Sequence, residues 1–173
     1  MKQMKKFASL LLVLVLLLAL SVSAFAAGEG SITIDNAVED QTYTIYRIFN
    51  LDSHSDDYSA INYKVNDKWS AFFAEGADGL KYVDIDEMGY VTWKADKKDA
   101  ESLRSFAAEA LSFAKSNNVA NDGAKTADSS EVKFADLDLG YYLVQSSLGT
   151  LCTLDTNMPD VTIQEKNAEP TNE

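Results

Sequence analysis

The stretch Phe134–Ser147, resumed at Asp160–Asn167, constrains the fold most. A tight corner over Leu137–Gly140 feeds a run with two tyrosines, Tyr141 and Tyr142, and further β-branched residues follow from Val161 onward. Such segments read as the closing strands of a β-sandwich. Upstream, Ser31–Asp35 alternates before breaking at Asn36, and Thr42–Phe49 is rich in β-branched and aromatic residues; both are expected to be strands. Polar residues 52–59 are expected to loop into a strand over Ile61–Val65. A short helical turn around Lys68–Ala74 would present Trp69, Phe72 and Phe73, with Gly76 and Gly79 ending it. Lys81–Ile85 and Tyr90–Lys94 flank Asp86–Gly89 at hairpin spacing.

One segment departs from this pattern. Between Asp99 and Ser116, the residues Leu103, Phe106, Ala107, Ala110, Leu111 and Ala114 recur at three- and four-residue steps, the period of a helix with one apolar face. Asp96, Asp99 and Glu101 crowd its start, where negative charge suits the helix dipole. Residues 117–130 read as an exposed connection. Four strands then follow, over Glu131–Ala135, Gly140–Ser146, Leu151–Leu154 and Asp160–Glu165. Strands on both sides of one long helix point to a mainly β, immunoglobulin-like sandwich with one long helical crossover, rather than to a parallel α/β sheet.

The first 26 residues have the three parts of a secretory signal: Lys2, Lys5 and Lys6, the apolar run Leu10–Leu20, and Ala24-Phe25-Ala26 as cleavage site. That run is shorter than the ~20 residues a membrane-spanning helix needs, so cleavage and secretion are expected, without membrane insertion afterwards. Residues 27–166 are then one sandwich domain, and 167–173 a polar tail or the start of a linker. The chain holds 27 acidic against 15 basic residues, and the leader removes three of the lysines. On charge, neither nucleic acid nor anionic lipid is expected as a partner. The single cysteine, Cys152, has no partner for an internal disulfide and reads as a small packed apolar residue.

Chemistry is sparse. The only histidine, His54, lies in Asp52-Ser-His-Ser-Asp-Asp57, which lacks the glycine and terminal glutamate of a calcium loop and reads as a solvated loop. Asp136 and Asp138 read as turn formers. No serine elbow accompanies the histidine, and no spacing selects a carboxylate pair. The expectation is therefore a non-enzyme with no catalytic residue, metal site or cofactor. Trp69, Trp93, Tyr43, Tyr46, Tyr58, Tyr82 and Tyr90 are mostly expected to fill the core rather than line a sugar- or peptide-binding face.

Five blocks carry a family resemblance: Gly30–Asn36, Tyr43–Phe49, Leu139–Val144, Leu151–Thr156 and Thr162–Asn167. In order, spacing and position behind a signal peptide, they resemble the N-terminal domain of Gram-positive sortase-assembled pilus backbone proteins, the fimbrial isopeptide-forming pilin family. The resemblance implies a secreted, cell-wall-associated structural subunit, with other pilin subunits and sortase as partners. In that family sortase joins a lysine near the end of the first domain to the sorting signal of the next subunit. Here Lys166 is the inter-subunit lysine candidate, although its neighbours Glu165 and Asn167 do not make the Tyr-Pro-Lys motif. The chain carries neither an L-P-x-T-G signal nor a terminal apolar helix with a basic tail, so it is expected to be a truncated pilin, a gene fragment or a free-standing relative.

The resemblance also implies an internal Lys–Asn isopeptide bond, for which Asn167 is the acceptor candidate. Two family positions are replaced. Arg47 stands where similar sequences carry the lysine, and a guanidinium stays protonated. Ser146 stands where the assisting glutamate would be, six residues on from Gly140. No internal cross-link is therefore expected, an unanticipated pairing through Lys64 or Lys81 being the exception. The alternative is a free-standing secreted adhesive or carbohydrate- or peptide-binding module, which would require a host or surface ligand.

Overall fold

The computed structural model describes residues 28, 30–55, 60–147, 149–155 and 160–165. The first strands are β1 (Gly30–Asp35), β2 (Thr42–His54), β3 (Ile61–Val65), β4 (Val83–Ile85) and β5 (Tyr90–Trp93). After the helix α1 (Ala100–Asn117) come β6 (Gly123–Thr126), β7 (Glu131–Leu137), β8 (Gly140–Ser146), β9 (Gly149–Asp155) and β10 (Asp160–Gln164). They form two sheets: a smaller one in the order β10-β1-β7, and a larger one in the order β4-β5-β3-β2-β8-β9 with β6 added beside β2. The expected mainly β sandwich with one helix is the observed fold.

The larger sheet is covered on both faces. Toward the smaller sheet, Tyr43 and Ile45 of β2 and Tyr142 and Val144 of β8 join Ile32, Ile34, Val132 and Phe134 in one buried cluster. Toward the helix, Phe49 and Leu51 of β2 and Tyr141 and Leu143 of β8 pack with Trp69, Phe72, Phe106 and Ala110 in a second. Period-two alternation sends successive β8 side chains to opposite cores, and a strand buried on both faces reads as a continuous apolar run, as Tyr141–Val144 does.

On β2 the alternation is reset by a bulge. Arg47 pairs with Tyr142 and Phe49 with Tyr141, leaving Ile48 as the extra residue. The bulge turns both Ile48 and Phe49 toward the helix side, because an inserted residue shifts the later positions to the other face. Gly140 lies where β8 crosses this point. A Cβ there would sit 2.3 Å from the Phe49 carbonyl oxygen and 2.9 Å from Cδ of Arg47, so only glycine permits the approach.

Helix α1 begins at Asp99, whose carboxylate accepts from the backbone N–H of Glu101 and Ser102, and ends at Asn118 in the left-handed region (φ 52°). Its buried residues are Phe106, Ala107, Ala110, Leu111 and Ala114. Leu103, expected on the apolar face, is half-buried, while Phe113 packs against Trp69 and Phe72.

Four local expectations need correction. Strand β2 runs on to His54 rather than giving way to a loop at Asp52, because it gains β3 as a partner through a second irregularity between Leu51 and Ser53. The helical turn after Val65 is two 3-10 turns, Asp67–Trp69 and Asp78–Lys81, and Gly79 lies within the second. Strand β4 starts at Val83, since Lys81 still belongs to that turn. The connection over 117–130 contains β6, which pairs antiparallel with Thr42–Ile45.

Candidate functional site

Arg47 and Ser146, where the resemblance would set a lysine and a glutamate, do not meet. Arg47 is registered with Tyr142 and Ser146 with Tyr43. Four residues of strand therefore separate them, roughly 13 Å at the usual rise. A nucleophile at one and a carboxylate at the other would not touch.

Arg47 is instead part of an ionic tie. Its Nη1 lies 2.7 Å from Oδ2 of Asp138, and its backbone N–H donates to Oδ2 of Asp122 at 2.7 Å. Asp122, in the connection between α1 and β6, also accepts from Nζ of Lys68 through both oxygens at 2.7 Å. The Tyr142 hydroxyl donates to the Asp138 carbonyl at 2.6 Å. Burial pushes the Tyr142 phenol well above its ordinary value; the Arg47 charge opposes this, and Asp122 and Asp138 add to it. Asp138, read as a turn former, is thus also the counter-charge of Arg47. The hollow beside Tyr142, lined by Gly30, Ile32, Leu137 and Asp138, holds about 10 Å³, room for a water at most.

Ser146 is buried at the end of β8. The Tyr43 hydroxyl opposite accepts from the Val38 N–H at 2.9 Å. Burial raises its pKa, the Val38 bond opposing, and the charge and hydrogen bond of Glu165 add to the rise. Glu165 is itself buried, and its N–H donates to the Asp35 carbonyl. This buried carboxylate was missed as a site feature. The signal was present, since Val161, Ile163 and Glu165 alternate at the period of a strand and share its inward face. Lys166 and Asn167 lie outside the described residues, as do Tyr58 and the Cys152 side chain.

The lysines named for an unanticipated cross-link are both ion-paired. Nζ of Lys64 sits 3.0 Å from Oδ1 of Asp52 and 4.6 Å from the centre of the Tyr90 ring. Tyr90 donates to the other Asp52 oxygen at 3.0 Å, and these bonds, with that from Lys64 first, lower the Asp52 pKa. Lys81 pairs with Asp78 at 2.7 Å and Glu109 at 3.7 Å. The bond to Asp52 raises the Lys64 pKa and the bond to Asp78 that of Lys81, holding both amines protonated and non-nucleophilic. Asp52 belongs to this cross-strand cluster, not to the solvated loop expected around His54.

Among the described residues, no group of three or more His, Cys, Asp or Glu side chains could hold a metal, and no helix is long and apolar enough to cross a membrane. Tyr43, Trp69 and Tyr82 are buried, while Tyr46, Trp93 and Tyr90 are half-buried. The arrangement ties strands together electrostatically. No protein-family model matches the chain, and no curated protein matches it.

Proposed function

We propose that the chain is a structural subunit, or the first sandwich portion of one, of a sortase-assembled cell-surface fimbria. The observation that carries this reading is the direction of the outer sheet. Strands β1 and β10 are parallel neighbours, Ser31 registered with Asp160 and Asp35 with Gln164. The chain therefore enters that sheet at one end and leaves it at the other, as a link strung in series requires. Antiparallel first and last strands would return it to the end where it entered.

The sequence blocks add support. Tyr43–Phe49 and Leu139–Val144 are largely the paired central strands β2 and β8, and Gly30–Asn36 and Thr162–Asn167 contribute the parallel pair. The leader directs the chain to the exterior, where sibling subunits and a sortase are its partners. Lys166, two residues beyond the end of β10, is the proposed amine for joining the next subunit.

Immunoblotting wall extracts with serum against residues 27–165 tests the reading. A ladder of high-mass species that survives boiling in detergent is expected, and it should collapse to the monomer when the sortase gene is deleted. A single monomer band in sortase-bearing cells would contradict the proposal and favour the free-standing binding module. Lys166→Arg then tests the attachment point, loss of the ladder being expected.

A further inference from the structure

We infer that the β1–β10 ladder is a shear clamp that gives the domain a tension-bearing function. The mechanics follow from topology; only their biological use rests on the proposed series arrangement. Pulling on the segments that precede β1 and follow β10 drives these parallel strands past each other along their length, because their pulled ends lie at opposite ends of the ladder. The rungs from Ser31↔Asp160 to Asp35↔Gln164 are then loaded together. Were the strands antiparallel, the same pull would open the pair one bond at a time.

Side chains reinforce the rungs at both ends of the ladder. Oγ of Ser31 donates to Asp160 at its start. At its finish Asn36 donates to Oε1 of Gln164, and Nε2 of Gln164 donates to Asp35 at 3.0 Å. The Glu165 N–H bonds to the Asp35 carbonyl at 2.9 Å, extending the backbone ladder past the strand.

Strand β1 is fixed from behind. It pairs antiparallel with β7 along its other edge, and Ile32 and Ile34 are buried, at 1% and 0% exposure, between the sheets. Strand β10, by contrast, has β1 as its one strand partner among the described residues. Tension thus concentrates on the β1–β10 seam, and the rate of forced unfolding is set by the barrier to breaking it.

Single-molecule force spectroscopy on the leaderless chain, in a Cys152→Ala background, compares two directions on the same seam. One tether runs through both termini and loads the seam in shear. The other runs through Glu39→Cys, in the exposed loop after β1, and the C-terminus; it peels β10 from its Gln164 end. The end-to-end direction should show the higher unfolding force. Ser31→Ala, at the end of the ladder that peeling reaches last, should unfold about tenfold faster under constant end-to-end load, with little change in the peeling force.

Equal forces in the two directions, or a variant that weakens both alike, would overturn the clamp. If the clamp fails while the protein still enters a sortase-dependent ladder, this inference alone falls and the subunit reading stands.

Discussion

Tyr142 shows how one side chain ties the sandwich to its ionic belt, since its ring belongs to the core between the sheets and its hydroxyl bonds the Asp138 carbonyl. Its phenol is held above the ordinary value, so the folded chain keeps the proton after the unfolded chain releases it near pH 10. The contribution is whole below about pH 10 and is lost as pH climbs through the folded-state value. Tyr43 and Tyr82 are shifted the same way, chiefly by burial. Urea midpoints should therefore fall above about pH 10. Tyr142→Phe should cost about 1 kcal/mol at neutral pH, and its gap from the parent should narrow as pH rises further. A gap that stays constant from pH 7 to about 11 would contradict this account.

At the same scale, Gly140 was legible as a corner residue, but its closest constraint, the Phe49 carbonyl across the strand pair, depends on register that no local pattern displays. Arg47 was legible as a charge that cannot act as an amine nucleophile. Its partners Asp122 and Asp138 lie far along the chain and become neighbours only once β2, β8 and the connection before β6 assemble.

The elements divide according to how much of their reason for existing is local. Helix α1 was readable because its apolar period and its cap lie within one segment. Strand β6, Gly123-Ala-Lys-Thr126, has no apolar alternation; it is a strand because β2 offers it an edge. The extension of β2 to His54 has the same origin, as does the ion pair that draws Asp52 onto the sheet.

Phe106 is the residue on which the helix–sheet layer turns. It is fully buried, with ring centres of Trp93 and Tyr82 at 5.0 and 5.4 Å and those of Phe72, Phe49 and Tyr141 within 6.5 Å. Phe106→Ala should destabilise by about 4 kcal/mol in urea titration, combining lost transfer energy with a cavity among rings too large to collapse. A cost under about 1 kcal/mol would mean that the helix does not close this core.

At the scale of the whole molecule, both sheets serve one geometric outcome. The large sheet is packed on both faces, and the small sheet carries the chain in at one end of β1 and out at the other end of β10. The sequence blocks were enough to propose strands in these places. They could not show that the first and last described strands are adjacent and parallel, because that pairing joins residues about 130 positions apart. The proposed role as a link under load rests on this pairing more than on any cluster of polar side chains.

Immunogold electron microscopy of intact cells, with serum against residues 27–165, tests that claim most directly. Gold spaced repeatedly along fibres that project from the wall, and absent when the sortase gene is deleted, is the predicted result. Label confined to shed monomer, with bare or unchanged fibres, would contradict it.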